Sequence, residues 1–179
     1  ITVIGALGVN TTSFAALIAS AGVAIGMALS GNLQNFAGGL IILLFKPYRV
    51  GDFIDVCGVQ GTVSAVQIFH TILLTPDNKA VYLPNGSTSS STITNYSRED
   101  KRRIEWTFGI DYGEDVNRAR TAILSVITAD ARILPDPAPF VAVGGLSDSS
   151  VDIIVRVWVP TEEYWNVYFD MHQRVYETF

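Results

Sequence analysis

The chain has 179 residues, a formal net charge of −5 and a single cysteine; 49% of its residues are hydrophobic and only 16% are charged. A soluble domain averages about 25% charged residues, so charge is scarce here, and the mean hydropathy is positive at +0.32. No basic stripe is present to neutralise phosphates, which argues against nucleic acid as a partner. One cysteine, Cys57, excludes an intramolecular disulfide framework and fits a reducing compartment, with a buried strand position as its expected place.

The scarcity of charge is uneven, because no charged residue precedes Lys46. The first quarter is therefore membrane-like and the remainder reads as soluble. No basic region precedes the apolar start, so it does not read as a signal peptide. The chain starts at Ile1 inside an apolar run, which predicts that further membrane spans lie upstream. Residues 1–9 read as the end of a preceding transmembrane helix and its loop. Residues 10–30 read as a transmembrane helix with Asn10, Thr11 and Thr12 available as caps. From Ser13 to Leu29 the run is continuously apolar or small, about the length that crosses a ~30 Å hydrocarbon core.

Ser30-Gly31 interrupts that run, and Gly31 is a candidate kink. Over 31–47, Leu33, Phe36, Ala37, Leu40, Ile41 and Leu44 recur at helical spacing. The stretch is too short to span and suits an interfacial or protein-packed half-helix. Pro47 ends it, and Lys46, Tyr48 and Arg49 form a cation–aromatic–cation set of the kind that anchors at a cytoplasmic membrane interface.

From Gly51 the period changes to two. Short β-branched runs separated by Gly58, Gly61, Pro76-Asp77-Asn78 and Pro84-Asn85-Gly86 predict a small all-β barrel over 48–97. After the charged stretch 97–103, a strand "IEWTFGI" leads into a helix over about 114–129. Val116, Ala119, Ile123, Val126 and Ile127 form the apolar face of that helix. Two strands follow near 140–145 and 151–159, then a helix from about Tyr164 to the end. This β-α-β-β-α order over 98–179 resembles an α+β ferredoxin-like half-sandwich without its last strand, so the domain is expected to be C-terminally incomplete.

Within the membrane segment the side chains sort by face. On a helix of 3.6 residues per turn with Ala16 at zero, Ser20, Ala24 and Ala28 fall at about 40°, 80° and 120°. Ala15, Ala19, Gly22 and Gly26 gather near 240–300°. Val23 and Met27 lie between these two small flanks, and Phe14, Ile18, Ile25 and Leu29 lie opposite. Small flanks let helices approach closely in a membrane. Two well-separated flanks fit a ring of identical helices with Val23 and Met27 at its axis, a constriction that closes by dewetting. The same pattern also fits an ordinary compact bundle without a pore.

Other candidate chemistry is sparse. His70 and His172 have no partner at metal-ligand spacing. Gly58 and Gly61 lack the lysine of a phosphate loop and read as a hairpin turn. Asp111, Glu114 and Asp115, like Glu162 and Glu163, read as helix N-terminal acids. Arg98 to Arg103 form a mixed charge cluster, either a solvated turn or a surface that biases ion passage. No nucleophile is paired with a base, so no enzyme activity, cofactor or metal is expected.

The stretch "AGVAIGMALSGNLQNFAGGLIILLFKPYRVGDFIDV" (21–56), followed in register by "VYLPNG" and "TNYSRED", resembles the bacterial mechanosensitive channels of small conductance, the MscS family. The resemblance covers essentially the whole chain. It implies a homo-oligomeric ring, a heptamer, with a pore-lining helix, an Sm-like β domain and an α/β domain that build a cytoplasmic vestibule with side portals. It implies an inner (plasma) membrane location, multi-pass, with the C-terminal region cytoplasmic and membrane lipids, ions and small solutes as partners. Opening by membrane tension during hypo-osmotic shock, with weak selectivity, is the implied activity. A membrane-anchored ligand-responsive or scaffold member with little conductance is the alternative.

By position, Val23 and Met27 occupy the two gate rings, where the best-known members carry leucine. Ala16, Ala19, Ser20, Gly22, Ala24, Gly26 and Ala28 match the helix-packing surfaces, with Ala19-Ser20 standing where the family often has Gly-Ala. Gly31 matches the kink, and Leu29 and Leu33 match positions that couple to tension-sensing helices.

Overall fold

A run of 45 residues without a charged side chain can satisfy its backbone in lipid only by internal hydrogen bonds. In the computed structural model, which describes residues 11–179, the part of that run from residue 11 onward forms one helix, α1 (Thr11–Phe45). The expected helix end over 1–9 and the start of the next helix at Asn10 lie outside the described residues. At 1.5 Å per residue, the 35 residues of α1 make a rod of about 52 Å. Its Thr12–Phe45 stretch is long and apolar enough to cross a membrane.

The interruption expected at Ser30-Gly31 is not a break, because the helix continues through both residues. One glycine costs about 1 kcal/mol in a helix interior. That is too little to end a helix whose flanking turns carry strong formers such as Ala28, Leu29, Leu33 and Gln34. Gly31 therefore marks a point where bending is cheap, not a terminus. The real end comes at Lys46, which adopts φ 47° while its N–H bonds the Ile42 carbonyl at 2.9 Å. Pro47 then prevents continuation.

The chain divides into two units, one ending at Arg98 and one running from Glu99 to Phe179. In the first, β1 (Phe53–Val56), β2 (Val59–Val66), β3 (His70–Leu74), β4 (Ala80–Pro84) and β5 (Ile93–Asn95) form an antiparallel sheet in the order β4-β3-β2-β1-β5. Alternation puts Ile54, Val56, Val63, Leu73 and Leu83 into one core, which Ile42 of α1 and Tyr48 join. β1 and β2 are joined by the two-residue turn Cys57-Gly58, both at positive φ (54° and 77°), the mirror-image geometry that matches strand twist. Cys57 is therefore exposed at a turn, not buried in a strand as expected. A six-residue helix, α2 (Asn85–Ser90), stands where only a turn was expected, between β4 and β5.

In the second unit, β6 (Lys101–Ile110), α3 (Val116–Thr128), β7 (Phe140–Leu146), β8 (Val151–Pro160) and α4 (Tyr164–Thr178) follow the expected order, with the sheet arranged β6-β8-β7. Asp115 caps α3, accepting hydrogen bonds from the Asn117 and Arg118 amides. Ala119, Ile123, Val126 and Ile127 of α3, and Val167, Met171 and Val175 of α4, cover one face of the sheet. The buried Asp130 carboxylate accepts from Arg132 Nη2 at 2.7 Å and Arg174 Nη1 at 2.9 Å, tying the loop after α3 to α4.

Candidate pore-lining helix and its seat

The N-terminal two-thirds of α1 are bare in the single chain. Val23 and Met27 are 61% and 68% exposed, one turn apart, and a Cβ at Gly22, Gly26 or Gly31 would meet nothing within 4 Å. Because the backbone is helical throughout, the sorting of faces holds: two small flanks, a bulky back, and Val23 and Met27 between the flanks. Two polar residues of this stretch are satisfied locally. Ser20 Oγ donates to the Leu17 carbonyl and Ser30 Oγ to the Met27 carbonyl, each at 2.9 Å, so both present an apolar exterior. One flank is less smooth than expected, since exposed Leu17 falls on the same side as Ala24 and Ala28. That flank is small only from Ser20 onward.

The C-terminal third is held. Among the described residues of α1, only Gly38, Gly39 and Ile42 are buried, with Asn35 half-buried beside them. A Cβ at Gly38 would stand 2.5 Å from the Asn85 carbonyl oxygen, and one at Gly39 2.5 Å from that of Ile68. Only glycine permits this approach. Asn35 Oδ1 accepts from the Gly86 amide at 3.0 Å, completing the seat of α1 on α2. The stripe Leu33, Phe36, Leu40, Ile41 and Leu44 faces away and stays exposed.

The expected interfacial anchor divides. Lys46 and Arg49 are exposed, but Tyr48 is only 2% exposed and packs in the β core with its hydroxyl 2.8 Å from Thr71 Oγ1. Tyr48 is therefore corrected from membrane anchor to core residue; the backbone reversal after Pro47 turns its ring inward. Burial, as the largest influence, pushes its pKa above the ordinary tyrosine value. Arg98 Nη1 donates to the Lys46 carbonyl at 2.7 Å and so caps the end of α1. In the second unit, the Arg102 guanidinium lies 3.8 Å from the Tyr164 ring centre.

Asn35, Gly38, Gly39 and Asn85 were not anticipated as a functional group. The adjacent glycines in an apolar helix and the Pro-Asn-Gly run were the signals available. Among the described residues, no group of three or more His, Cys, Asp or Glu side chains is placed to hold a metal.

An uncharged helix seated by glycines on a five-stranded β domain, followed by a ferredoxin-like unit, is also what similarity to known proteins picks out. Residues 31–98 match the mechanosensitive ion channel β-domain model, and 104–179 the model of the C-terminal part of the mechanosensitive channel MscS. The chain belongs to the MscS family. The small-conductance mechanosensitive channel of Edwardsiella ictaluri is 44% identical over 152 residues, 85% of this chain and 53% of that protein. The Helicobacter pylori small-conductance mechanosensitive channel is 34% identical over 94% of this chain and 62% of its own length. The MscS-family chain thus spans about half to three-fifths of these relatives. In three dimensions it resembles the closed-state crystal structure of Helicobacter pylori MscS, with a TM-score of 0.91, 32% identity and coverage of 98% of this chain and 70% of that one. Arabidopsis thaliana MSL1 shares the fold, with a TM-score of 0.82 at 23% identity.

Proposed function

We propose that the chain forms the pore helix and cytoplasmic body of a tension-gated channel. Residues 10–30 line the pore, 31–47 form the interfacial segment, 48–97 the Sm-like β domain and 98–179 the vestibule. The observation that carries this is the division of α1: a bare stretch with two small flanks and a Val23–Met27 face, continuous with a stretch fixed on the β domain. In a homo-heptamer the flanks of neighbouring copies pack together and Val23 and Met27 form stacked apolar rings. Such rings exclude water when narrow and admit it when wide.

Membrane tension favours the state with the larger in-plane area. Sliding Ala16, Ala19, Ser20, Gly22, Ala24, Gly26 and Ala28 past one another retracts the two rings. Gly31 lets the free stretch tilt against the seated one, and Leu29 and Leu33, on either side of it, pass the motion from lipid-facing helices. Lys46 and Arg49 hold the cytoplasmic end at the lipid headgroups. An uncharged pore predicts weak selectivity and release of ions and small osmolytes across the inner membrane during hypo-osmotic shock. No step of this function requires enzymatic chemistry or a cofactor.

The test is patch-clamp recording of the full-length protein in liposomes. Tension-evoked current below the lytic limit is expected, and its absence in correctly inserted protein rejects the proposal.

A further inference from the structure

Three buried side chains beneath α1 form a chain of hydrogen bonds that the gate does not use. Thr71 Oγ1 donates to Asn85 Oδ1 at 2.9 Å, and the Tyr48 hydroxyl is 2.8 Å from the same Thr71 oxygen. Threonine has one proton to give, so Tyr48 is the donor in the second bond. Asn85 Nδ2 in turn donates to the Gln67 carbonyl at 2.8 Å and the Ile68 carbonyl at 3.1 Å, and the Asn85 amide donates to the Phe69 carbonyl. Tyr48, Thr71 and Asn85 are all essentially inaccessible to solvent.

Asn85 is also the residue on which α1 sits. Its carbonyl faces Gly38, its side-chain amide lies 2.8 Å from where a Cβ of Gly39 would be, and the next amide, that of Gly86, bonds Asn35. Tyr48 lies three residues past the end of α1. The chain therefore leaves the helix, turns inward, and reaches back through Thr71 to the support of the same helix. We propose that Tyr48 is a positioning residue: through Thr71 it fixes the orientation of Asn85 and so sets how firmly the C-terminal third of α1 is held on the β domain.

The consequence for gating rests on the channel function proposed above; the consequence for the seat does not. A merely structural tyrosine would weaken the β domain as a whole. A positioning tyrosine acts through Thr71 alone and is felt at the seat.

The test is amide hydrogen exchange of the full-length protein in lipid nanodiscs. In Tyr48→Phe, which keeps the ring and removes the donor, exchange at Gly86 should accelerate about three- to tenfold, the effect of one net buried hydrogen bond. The Val63 and Leu73 amides of the central strands should be unchanged. Thr71→Val removes both bonds and should accelerate Gly86 further, and adding Tyr48→Phe to it should change nothing more. Additive effects of the two substitutions, or equal acceleration across all β strands, overturn the proposal. In patch-clamp recordings the Tyr48→Phe channel should open or close with altered time course under sustained tension. If the unsubstituted protein carries no tension-evoked current, the channel function fails while the exchange result still decides the role of Tyr48.

Discussion

Val23 and Met27 put two unlike apolar side chains one turn apart on the same face of α1. In the proposed pore, a branched valine and a flexible methionine would keep the face dry without fixing the bore as tightly as a pair of leucines would. Replacing Val23 with serine adds a hydroxyl where water would otherwise be excluded. In the proposed ring it would, unlike Ser20 and Ser30, stand at the narrowest point, so the expected outcome is a lower tension threshold or a steady leak. Pressure-ratio measurements against a reference channel in the same patch check this, and unchanged gating would remove Val23 from the axis. Asp130 supports a different prediction. Hydrogen bonds from Arg132, then the nearby positive charge of Arg132 and Arg174, hold its carboxyl below the usual carboxylate range. The folded chain thus binds that proton less readily than the unfolded one. The resulting stability is complete above about pH 4 and fades as pH falls through the folded value. Asp130→Ala should destabilise the second unit by about 1–3 kcal/mol at neutral pH, and by progressively less in acid. All three tryptophans, Trp106, Trp158 and Trp165, lie in that unit, so tryptophan fluorescence during denaturant unfolding reports on it.

At the scale of elements, the same residue type does opposite things at the two ends of α1. Gly26 has open space around it, whereas a Cβ at Gly38 would collide with the Asn85 backbone. Gly38→Ala should therefore loosen the seat, costing about 1–3 kcal/mol as overpacking usually does, visible as faster exchange of the Gly86 amide. Gly26→Ala should leave that amide unaffected and favour the helix itself by about 1 kcal/mol. If this flank packs a neighbouring copy, the added methyl should also shift the tension threshold, and an unaltered threshold would argue that the flank is not a packing face. The contrast also explains what the amino-acid pattern could reveal. Alternation in "DFIDV" and the 3–4 spacing in α3 and α4 are local, and each element appeared near its expected place. The seat is not local: Asn35 and Gly86 are 51 residues apart, and nothing in the helix separates Gly38 from Gly22 or Gly26 until Asn85 is beside it. α2 was hidden for a related reason, since Asn-Gly-Ser-Thr-Ser-Ser is turn chemistry and its helix rests on that contact. Tyr48 misled because a cation–aromatic–cation triplet looks alike whether its ring turns outward or inward.

At the scale of the whole molecule, the flanks of α1 constrain the ring. Their centres, near 80° and 270° on the helix wheel, are separated by about 170° measured across the Val23–Met27 face. In a closed ring each copy presents two different patches, one to each neighbour. Its two neighbours lie about 60° apart in a trimer, 90° in a tetramer and 129° in a heptamer, by the geometry of regular polygons. Flanks so widely separated disfavour small rings, and in the proposed ring they would leave the Val23–Met27 face pointing inward, with Ile18 and Ile25 outward. This geometry can be tested by cross-linking. Cys57 is exposed and is the one thiol of these 179 residues, so the experiment begins from Cys57→Ser with any cysteine elsewhere in the full-length protein also changed to serine. With Val23→Cys added, oxidation of the membrane-embedded full-length protein should link subunits into dimers and suppress tension-evoked current, and a reductant should restore it. Ile25→Cys in the same background should link few subunits, because its side chains diverge from one copy to the next. Efficient linking at Ile25 with none at Val23 would mean that α1 faces the opposite way, and that the small flanks pack something other than a second copy of this helix.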